Sequence, residues 1–289
     1  MKSFFIKKNL FIFQEAPEVF KIEDKFIIIG KEQNLKSLNI QDFDNIFTLF
    51  YTPIWIKSIL SQEKINIIQL NNFGKVEKAI LHTKFNRTFD IKEKIDIGYN
   101  LLQKKANTID SIFKTSEAEN LVEYSLKNKI DIYTINKNLN FIPKAIIMDT
   151  LKLKYKLTNK RAKEIVNTLF NLTENIVVYS LFNKFVQLNI NPENSFLNTE
   201  SPALIRDITE IQRIKFLKKV HYLFHSRFFD GRDLNRKHFP NTVVKFLKLL
   251  STYFFYANRF KRLKEIFYQI ESYKRGNYEI FSSLWYLRQ

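Results

Sequence analysis

The chain contains no cysteine, which excludes disulfides, thiolate zinc sites and cysteine nucleophiles. Its five glycines form no Gly-rich loop, so P-loop and dinucleotide-binding fingerprints are also missing. No apolar run approaches the roughly 20 uncharged residues of a membrane span, because Lys7 and Lys8 interrupt the apolar start of the chain. The sequence therefore predicts a cytoplasmic globular protein that makes no membrane contact and lacks the most common catalytic signatures.

Positive charge is the strongest global feature of the sequence. The chain carries 47 lysines and arginines against 29 acidic residues, a net charge of +18, and the excess is greatest after Gly231. Such a surface attracts polyanions through counterion release, so nucleic acid is the expected partner. The alternative is an AT-rich genome, which enriches lysine without functional meaning but does not explain the shortage of acids near the C-terminus.

The residue patterns predict an α+β protein of two domains, a β-rich, sandwich-like domain over 1–87 and an all-α domain over 88–289. Short β-branched and aromatic runs such as FFIKKNLFIFQ, EVFKIEDKFIIIGK and INIIQLNN indicate strands. Thr52 and Pro53 suit the start of one helix between them, and Gly74 suits a turn. From Asp90 onward the apolar residues follow helical spacing, and IVNTLFNLTENIVVYSLFNKFVQL is apolar on most of its circumference, which predicts a central buried helix.

The stretch SFLNTESPALIRDITEIQR, residues 195–213, carries two carboxylates three residues apart on a predicted helix. Asp207 and Glu210 then project from one helix face, about a turn apart, and could hold one hard cation such as Mg²⁺ or Mn²⁺. The alternative is a set of solvated surface ion pairs with Arg206 and Arg213.

Basic residues follow this acidic pair along the chain and are candidates for contacts with DNA phosphates, which position a duplex without reading its sequence. A solvated surface is the alternative for any single lysine among them. The candidates are Arg206, Arg213, Lys215, Lys218, Lys219, Arg227, Arg232, Arg236 and Lys237.

His221 and His225 lie four residues apart on the same predicted helix, a spacing that can bind zinc. The glutamate of a metalloprotease motif is absent, because the next residue after His221 is Tyr222. Ordinary helix-face histidines are the favoured interpretation of this pair.

Two segments together resemble the CRISPR-associated adaptation integrases, the first and most widespread family of Cas proteins. In the first, DNIFTLFYTPIWIKSILSQEKINIIQLNNFGKVEKAIL, the order strand, capped helix, strand and Gly turn matches the N-terminal domain of that family. In the second, residues matching the family's motifs follow one another in the family's order and spacing. They are Asn167, Asn191-Pro192, Phe196-Leu197 and Asp207-x-x-Glu210-x-x-Arg213.

The resemblance implies a β-domain that forms a homodimer, a helical domain that binds double-stranded DNA, and a partner like the small second Cas protein. It also implies a Mg²⁺ or Mn²⁺ site built from a glutamate of an earlier helix, a histidine and the acids of the Asp-x-x-Glu helix. This sequence departs from that pattern, with Asn198 at the histidine place and Asn138 or Asn136 near the glutamate place. The acids that could replace the missing glutamate lie farther away in the sequence: Glu117, Glu119, Glu123 and Asp149.

Because asparagine carries no charge and no imidazole, these departures favour an impaired site. The expected function is a DNA-binding protein of spacer acquisition whose metal-dependent integrase activity is impaired or absent. One alternative is an active Mg²⁺/Mn²⁺-dependent integrase or endonuclease that inserts prespacers, using Asp207 and Glu210. The other is an unrelated basic nucleic-acid-binding module.

Overall fold

The structure of the protein is a computed structural model. It describes residues 3–6, 9–12, 19–24, 26–31, 33–49, 60, 62–84, 95–187, 189–226, 228–232, 234–236 and 239–253. The chain divides into two compact units, Met1–Lys84 and Phe85–Gln289.

The first unit is built from strands in two sheets. A mixed sheet has the order β1-β2-β6-β7-β8, with parallel pairing from β2 to β6 and from β6 to β7, and an antiparallel sheet has the order β3-β4-β5. The strands are β1 Ser3–Ile6, β2 Asn9–Ile12, β3 Val19–Glu23, β4 Phe26–Lys31, β5 Asn34–Asn39, β6 Asn45–Thr48, β7 Asn66–Leu70 and β8 Val76–Ile80.

Apolar residues of both sheets share one core, as expected for a sandwich-like domain. Leu10 and Ile67 of the mixed sheet belong to the same buried cluster as Ile27 and Ile29 of the antiparallel sheet. The predicted turn at Gly74 is present, with a φ of 71° that favours glycine. The predicted helix start at Thr52 and Pro53 lies outside the described residues.

Asparagines open three adjacent parallel strands and form a buried ladder across them. Asn45 donates from Nδ2 to Asn9 Oδ1 at 2.7 Å, and Asn66 donates from Nδ2 to Asn45 Oδ1 at 2.9 Å. His82 continues the ladder, because its backbone N–H donates to Asn66 Oδ1 at 3.1 Å. Each buried amide is satisfied only when the strands are in register, so the ladder fixes the pairing of β2, β6 and β7.

The regular elements in the described part of the second unit are all helices, which confirms the predicted α+β fold class. Its helices are α1 Ile95–Phe113, α2 Glu117–Lys127, α3 Ile132–Leu139, α4 Phe141–Tyr155, α5 Asn159–Gln187, α6 Ala203–His225 and α7 Phe239–Ser251. Among the described residues, no helix combines the length and apolar character needed to cross a membrane.

Two helices form the centre of this unit. The predicted buried helix is confirmed as α5, which packs against α4 and α6. The alternative of solvated surface ion pairs at the start of α6 does not apply, because every residue from Ala203 to Ile214 is buried. Four of these are charged, so the charges of α6 must be balanced inside the protein.

Candidate functional site

Asp207 of α6 binds the loop that precedes its own helix. Its Oδ2 accepts hydrogen bonds from Ser195 Oγ at 2.7 Å and from the backbone N–H groups of Phe196 at 2.6 Å and Leu197 at 3.1 Å. Its Oδ1 accepts from Asn198 Nδ2 at 2.6 Å. Asp207 is 0% exposed, so this carboxylate is committed to holding the 195–198 loop against α6.

Burial raises the pKa of Asp207, and the four hydrogen bonds that the carboxylate accepts lower it. Burial has the larger effect, so the pKa is raised to about 6. The group is therefore ionised at neutral pH, as its four donors require. It becomes protonated in mildly acidic solution.

Glu210, one turn further along α6, contacts a lysine that sequence reasoning missed. Lys105 of α1 is 0% exposed, and its Nζ lies 2.8 Å from Glu210 Oε1. The same Nζ donates to Asn136 Oδ1 at 2.7 Å, to Asn140 Oδ1 at 2.8 Å and to the Asn136 carbonyl oxygen at 3.3 Å. The Lys105 Nζ thus contacts oxygens from Asn136 of α3, from Asn140 at the C-terminal cap of α3, and from Glu210 of α6.

The geometry requires that Lys105 is protonated. Burial lowers the pKa of Lys105 below its ordinary value, and the charge of Glu210 opposes that shift. Three oxygen acceptors lie within 2.8 Å of Nζ, and only an ammonium offers three N–H donors. Glu210 and Lys105 therefore form a buried ion pair.

Asn136 and Asn198 link this ion pair to Asp207. Asn136 accepts from Lys105 through Oδ1 and donates through Nδ2 to the Leu197 carbonyl oxygen at 3.0 Å and to Asn198 Oδ1 at 3.4 Å. Asn198 in turn donates to Asp207. We call the connected set Lys105, Asn136, Asn198, Asp207 and Glu210 the central polar cluster.

The cluster contains three site residues that the sequence suggested, Asn198, Asp207 and Glu210. Of the two asparagines near the expected glutamate place, it contains Asn136. Asn136, which is 3% exposed, makes these contacts, whereas the half-buried Asn138 of the same helix makes none of them. Gly98 of α1 allows the close approach, since a Cβ there would lie 2.2 Å from Ile132 Cδ1 and 3.2 Å from the Phe196 carbonyl oxygen.

Arg206 and Arg213 lie inside the protein, where both pair with Glu174 of α5. Their Nη1 atoms are 2.7 and 2.9 Å from Glu174 Oε1, and Arg213 also pairs with Glu210. Burial alone would raise the pKa of Glu174, but the guanidinium groups of Arg213 and Arg206 lower it to about 2. Arg206 and Arg213, the first two predicted DNA contacts, are thus buried side chains that pair with carboxylates of the same domain.

Asp207 and Glu210, the predicted ligands of one shared cation, contact other groups instead. Asp207 Oδ1 and Oδ2 accept four hydrogen bonds from the loop, while Glu210 contacts Lys105 and Arg213. In the described part of the chain, no three histidine or acidic side chains converge as a metal site would need. The set does not fit a divalent metal, because an ammonium lies where the oxygens converge.

The other acids considered for the missing glutamate lie elsewhere. Asp149 of α4 is exposed and pairs with Lys152, and Glu117 and Glu119 belong to the first turn of α2. Glu123 is exposed on α2. None of these carboxylates contacts the central polar cluster.

The remaining DNA-contact candidates divide into exposed and undescribed residues. Lys218 and Lys219 are exposed on α6, and Lys215 is half-buried. Arg232 and Arg236 have side chains 88% and 70% exposed. Arg227 and Lys237 lie outside the described residues.

Arg236 borders a basic cleft of about 390 Å³ at the start of α5. Lys160 and Arg161 contribute its other positive charges, and Glu164 pairs with both Arg161 and Arg236. This cleft adds exposed positive charge to the surface that the sequence suggested.

His221 and His225 contact one another, with their Nε2 atoms 3.2 Å apart. His221 Nε2 also lies 2.8 Å from Thr150 Oγ1, and burial lowers the pKa of His221, with a further lowering by His225. The two imidazoles thus contact each other and Thr150 on one side of α6.

Solved structures share this architecture across nearly the whole chain. A CAS1 protein from Thermotoga maritima has a TM-score of 0.60 at 14% identity, over 84% of this chain and 88% of the other. A casposase bound to integration product has a TM-score of 0.61 at 12% identity, over 98% and 92%. A Cas6-RT-Cas1–Cas2 complex has a TM-score of 0.65 at 13% identity, over 99% of this chain and 37% of the larger one. The chain therefore has a Cas1-like fold, the architecture of proteins that include a casposase.

Sequence comparison adds less. No family model matches the chain. The aspartate–tRNA ligase of Buchnera aphidicola subsp. Schizaphis graminum (strain Sg) is 24% identical over 181 residues, 61% of this chain. The chain spans 28% of the length of that curated relative.

Sequence reasoning missed two residues that organise the site, Lys105 and Glu174, although each left a signal. Lys105 continues the buried stripe of Leu101 and Ile109 at four-residue spacing on α1. A lysine on an apolar helix stripe predicts a buried partner of opposite charge. Glu174 lies within the long apolar α5 and could have been recognised in the same way.

Proposed function

We propose that this chain is a DNA-binding protein of CRISPR spacer acquisition that holds duplex DNA without carrying out metal-dependent strand transfer itself. The observation that carries this proposal is the Lys105 ammonium among the oxygens of Glu210, Asn136 and Asn140. Integrases of this kind use a divalent cation to stabilise the charge that develops at the phosphodiester. An ammonium group here offers no open coordination position for a reacting oxygen.

Support for the DNA-binding part comes from charge and from the fold. The net charge of +18 is carried by exposed groups such as Lys218, Lys219 and Arg232. The casposase of similar fold was solved with its integration product. Because Arg206 and Arg213 are buried, the DNA-contact surface is formed by the exposed lysines and arginines after them.

The proposed partners follow from the resemblance and from the architecture of the related complex. One similar chain belongs to a Cas6-RT-Cas1–Cas2 complex. We propose that this chain forms a homodimer through residues 1–87 and binds a small second Cas protein, and that residues 88–289 bind DNA. Light scattering of the purified chain, alone and with that partner, measures both associations. A monomer that does not bind the partner would contradict them.

The DNA-binding proposal is tested by the salt dependence of duplex binding, measured by fluorescence anisotropy. Each phosphate contact contributes a slope of about −0.9 in log K against log salt. Lys218→Ala/Lys219→Ala should therefore reduce the slope by about 2 if both lysines contact phosphates. The charge-matched control is Lys127→Ala/Lys137→Ala, on exposed positions of α2 and α3. Duplex affinity that is insensitive to salt would contradict the proposal.

An active Mg²⁺- or Mn²⁺-dependent integrase is the second candidate function. One observation favours it, a cavity of about 40 Å³ lined by two carboxylates, Glu174 and Glu210. Arg213 also lines this cavity and pairs with both carboxylates. Metal-dependent joining of a duplex with free 3′-hydroxyls to a target plasmid, abolished by Glu210→Gln, would establish this candidate.

A further inference from the structure

We infer that Lys105 is a built-in substitute for a metal cation: its ammonium neutralises Glu210 and thereby excludes divalent ions from the central polar cluster. The oxygens around Nζ come from a carboxylate, two side-chain amides and a backbone carbonyl. This inference concerns ion binding and holds whether or not the chain binds DNA.

The donor set is the first argument. Carboxylate and carbonyl oxygens are the ligands of hard cations, and they are equally good acceptors for an ammonium group. The observed nitrogen–oxygen distances of 2.7 to 2.8 Å are those of charge-assisted hydrogen bonds. Oxygens around Mg²⁺ would lie at about 2.1 Å and those around Ca²⁺ at about 2.4 Å. The oxygens are therefore arranged for a nitrogen cation.

Charge balance is the second argument. Glu210 is the acidic side chain that contacts Lys105 among the described residues, and it also pairs with Arg213. A divalent cation bound to Glu210 Oε1 at about 2.1 Å would lie within about 5 Å of Nζ, which is 2.8 Å from that oxygen. Two cations would then share one carboxylate in a buried site, where repulsion is weakly screened.

The space beside Glu210 offers no better position for a cation. The cavity of about 40 Å³ that Glu210 lines is also lined by Lys144 and Arg213. A cation entering there meets Arg213, which is already bonded to both Glu174 and Glu210. That cavity nevertheless gives ions and water a route to Glu210 once the lysine is removed.

Removal of the lysine side chain should therefore uncover a cation site. Lys105→Ala leaves the Glu210 carboxylate, the Asn136 and Asn140 amide oxygens and one backbone carbonyl around the space of the lost amine. Glu210 keeps its pair with Arg213 in this variant but loses its second cationic partner inside the protein. Because breaking a buried ion pair is costly, the variant gains stability from any cation that replaces the lysine.

The experiment makes two measurements on wild type and variants. Electron paramagnetic resonance of free Mn²⁺ measures Mn²⁺ binding, and thermal unfolding measures how Mn²⁺ changes the melting temperature, Tm. Wild-type protein should bind no Mn²⁺ at Glu210 and show no change in Tm. Lys105→Ala should melt about 10 °C below wild type without metal and regain roughly 5–10 °C with saturating Mn²⁺. Lys105→Ala/Glu210→Gln should not respond to Mn²⁺, and Lys137→Ala, on an exposed residue of α3, is the surface control.

Two results would overturn the inference. The first is a wild-type protein that binds one Mn²⁺ and loses it on Glu210→Gln, which remains decisive if Lys105→Ala does not fold. The second is a folded Lys105→Ala that neither binds Mn²⁺ nor is stabilised by it. Both results are independent of the DNA measurements, so failure here is distinguishable from failure of the proposed function.

Discussion

Replacing Asp207 with asparagine should destabilise the protein by an amount that depends on pH in an unusual direction. The variant retains one acceptor oxygen, but its amide nitrogen faces groups that donate in wild type: two backbone N–H groups, Ser195 and Asn198. Leaving such buried donors unsatisfied costs about 1–3 kcal/mol. This part of the cost does not vary with pH.

The pH-dependent part follows from the raised pKa of Asp207. Its pKa is about 6 in the folded protein against an ordinary value of 3.8, so the folded state holds the proton more tightly than the unfolded state. The contribution to stability is therefore full below pH 3.8 and is lost as pH rises through 6. At 1.36 kcal/mol per pKa unit the whole loss is about 3 kcal/mol, of which about 2 kcal/mol falls between pH 4.5 and 7.5.

The asparagine introduced by Asp207→Asn does not titrate, so the substitution should cost about 2 kcal/mol less at pH 7.5 than at pH 4.5. Urea denaturation of both proteins at these two pH values measures this difference, and other titrating groups cancel in it. A cost that is equal at both pH values, or larger at pH 7.5, would refute the argument, because hydrogen bonding would then outweigh burial.

Three further predictions concern the frame of the site. Glu174→Gln should lower the urea midpoint of unfolding at pH 7. Arginine pairing lowers the pKa of Glu174 to about 2, so the stability that its carboxylate contributes is lost on protonation. The difference in midpoint between variant and wild type should therefore vanish as pH falls from 4.5 toward 2. Equal destabilisation at both ends of this range would contradict it. Gly98→Ala should lower the free energy of unfolding by about 1–3 kcal/mol through overpacking. Ile132→Val removes the Cδ1 atom that lies 2.2 Å from the new Cβ, so it should recover part of that loss in the double variant. Additive effects of the two substitutions in a double-mutant cycle would contradict the overpacking argument. Asn45→Ala should lower the free energy of unfolding by about 1–3 kcal/mol, since Asn9 and Asn66 each lose one hydrogen bond. A thermal unfolding curve unchanged from wild type would contradict the role of the asparagine ladder.

Local patterns were sufficient to predict the fold class. Alternating β-branched runs indicated the strands, and the apolar circumference of residues 165–187 indicated α5, because burial leaves its mark on every turn of an element. The motif order also placed Asn198, Asp207 and Glu210 in one region. The structure connects Asn198 directly to Asp207, and connects it to Glu210 through Asn136 and Lys105. The order of the motifs thus predicted which segments form the site, but not the contacts within it.

The contacts within that neighbourhood depended on partners distant in sequence. Arg206 and Arg213 were predicted to be surface cations because nothing local reveals Glu174, which lies more than 30 residues earlier and pairs with both. Lys105 was one lysine among many in a basic chain, and its significance rests on Glu210, which is over 100 residues away. Periodicity within one helix can indicate that a charged side chain is buried, but its partner is set by the tertiary fold and could not be identified from it.

Strand joining by the wild-type protein tests the central claim most directly. A short duplex with free 3′-hydroxyls is incubated with a supercoiled, repeat-bearing plasmid and Mn²⁺, with and without the small second Cas protein, beside Glu210→Gln as control. The account predicts salt-sensitive duplex binding and no joined product under either condition. A covalently joined product that forms with wild type and disappears with Glu210→Gln would show that the site works with a metal despite Lys105, and would contradict the account.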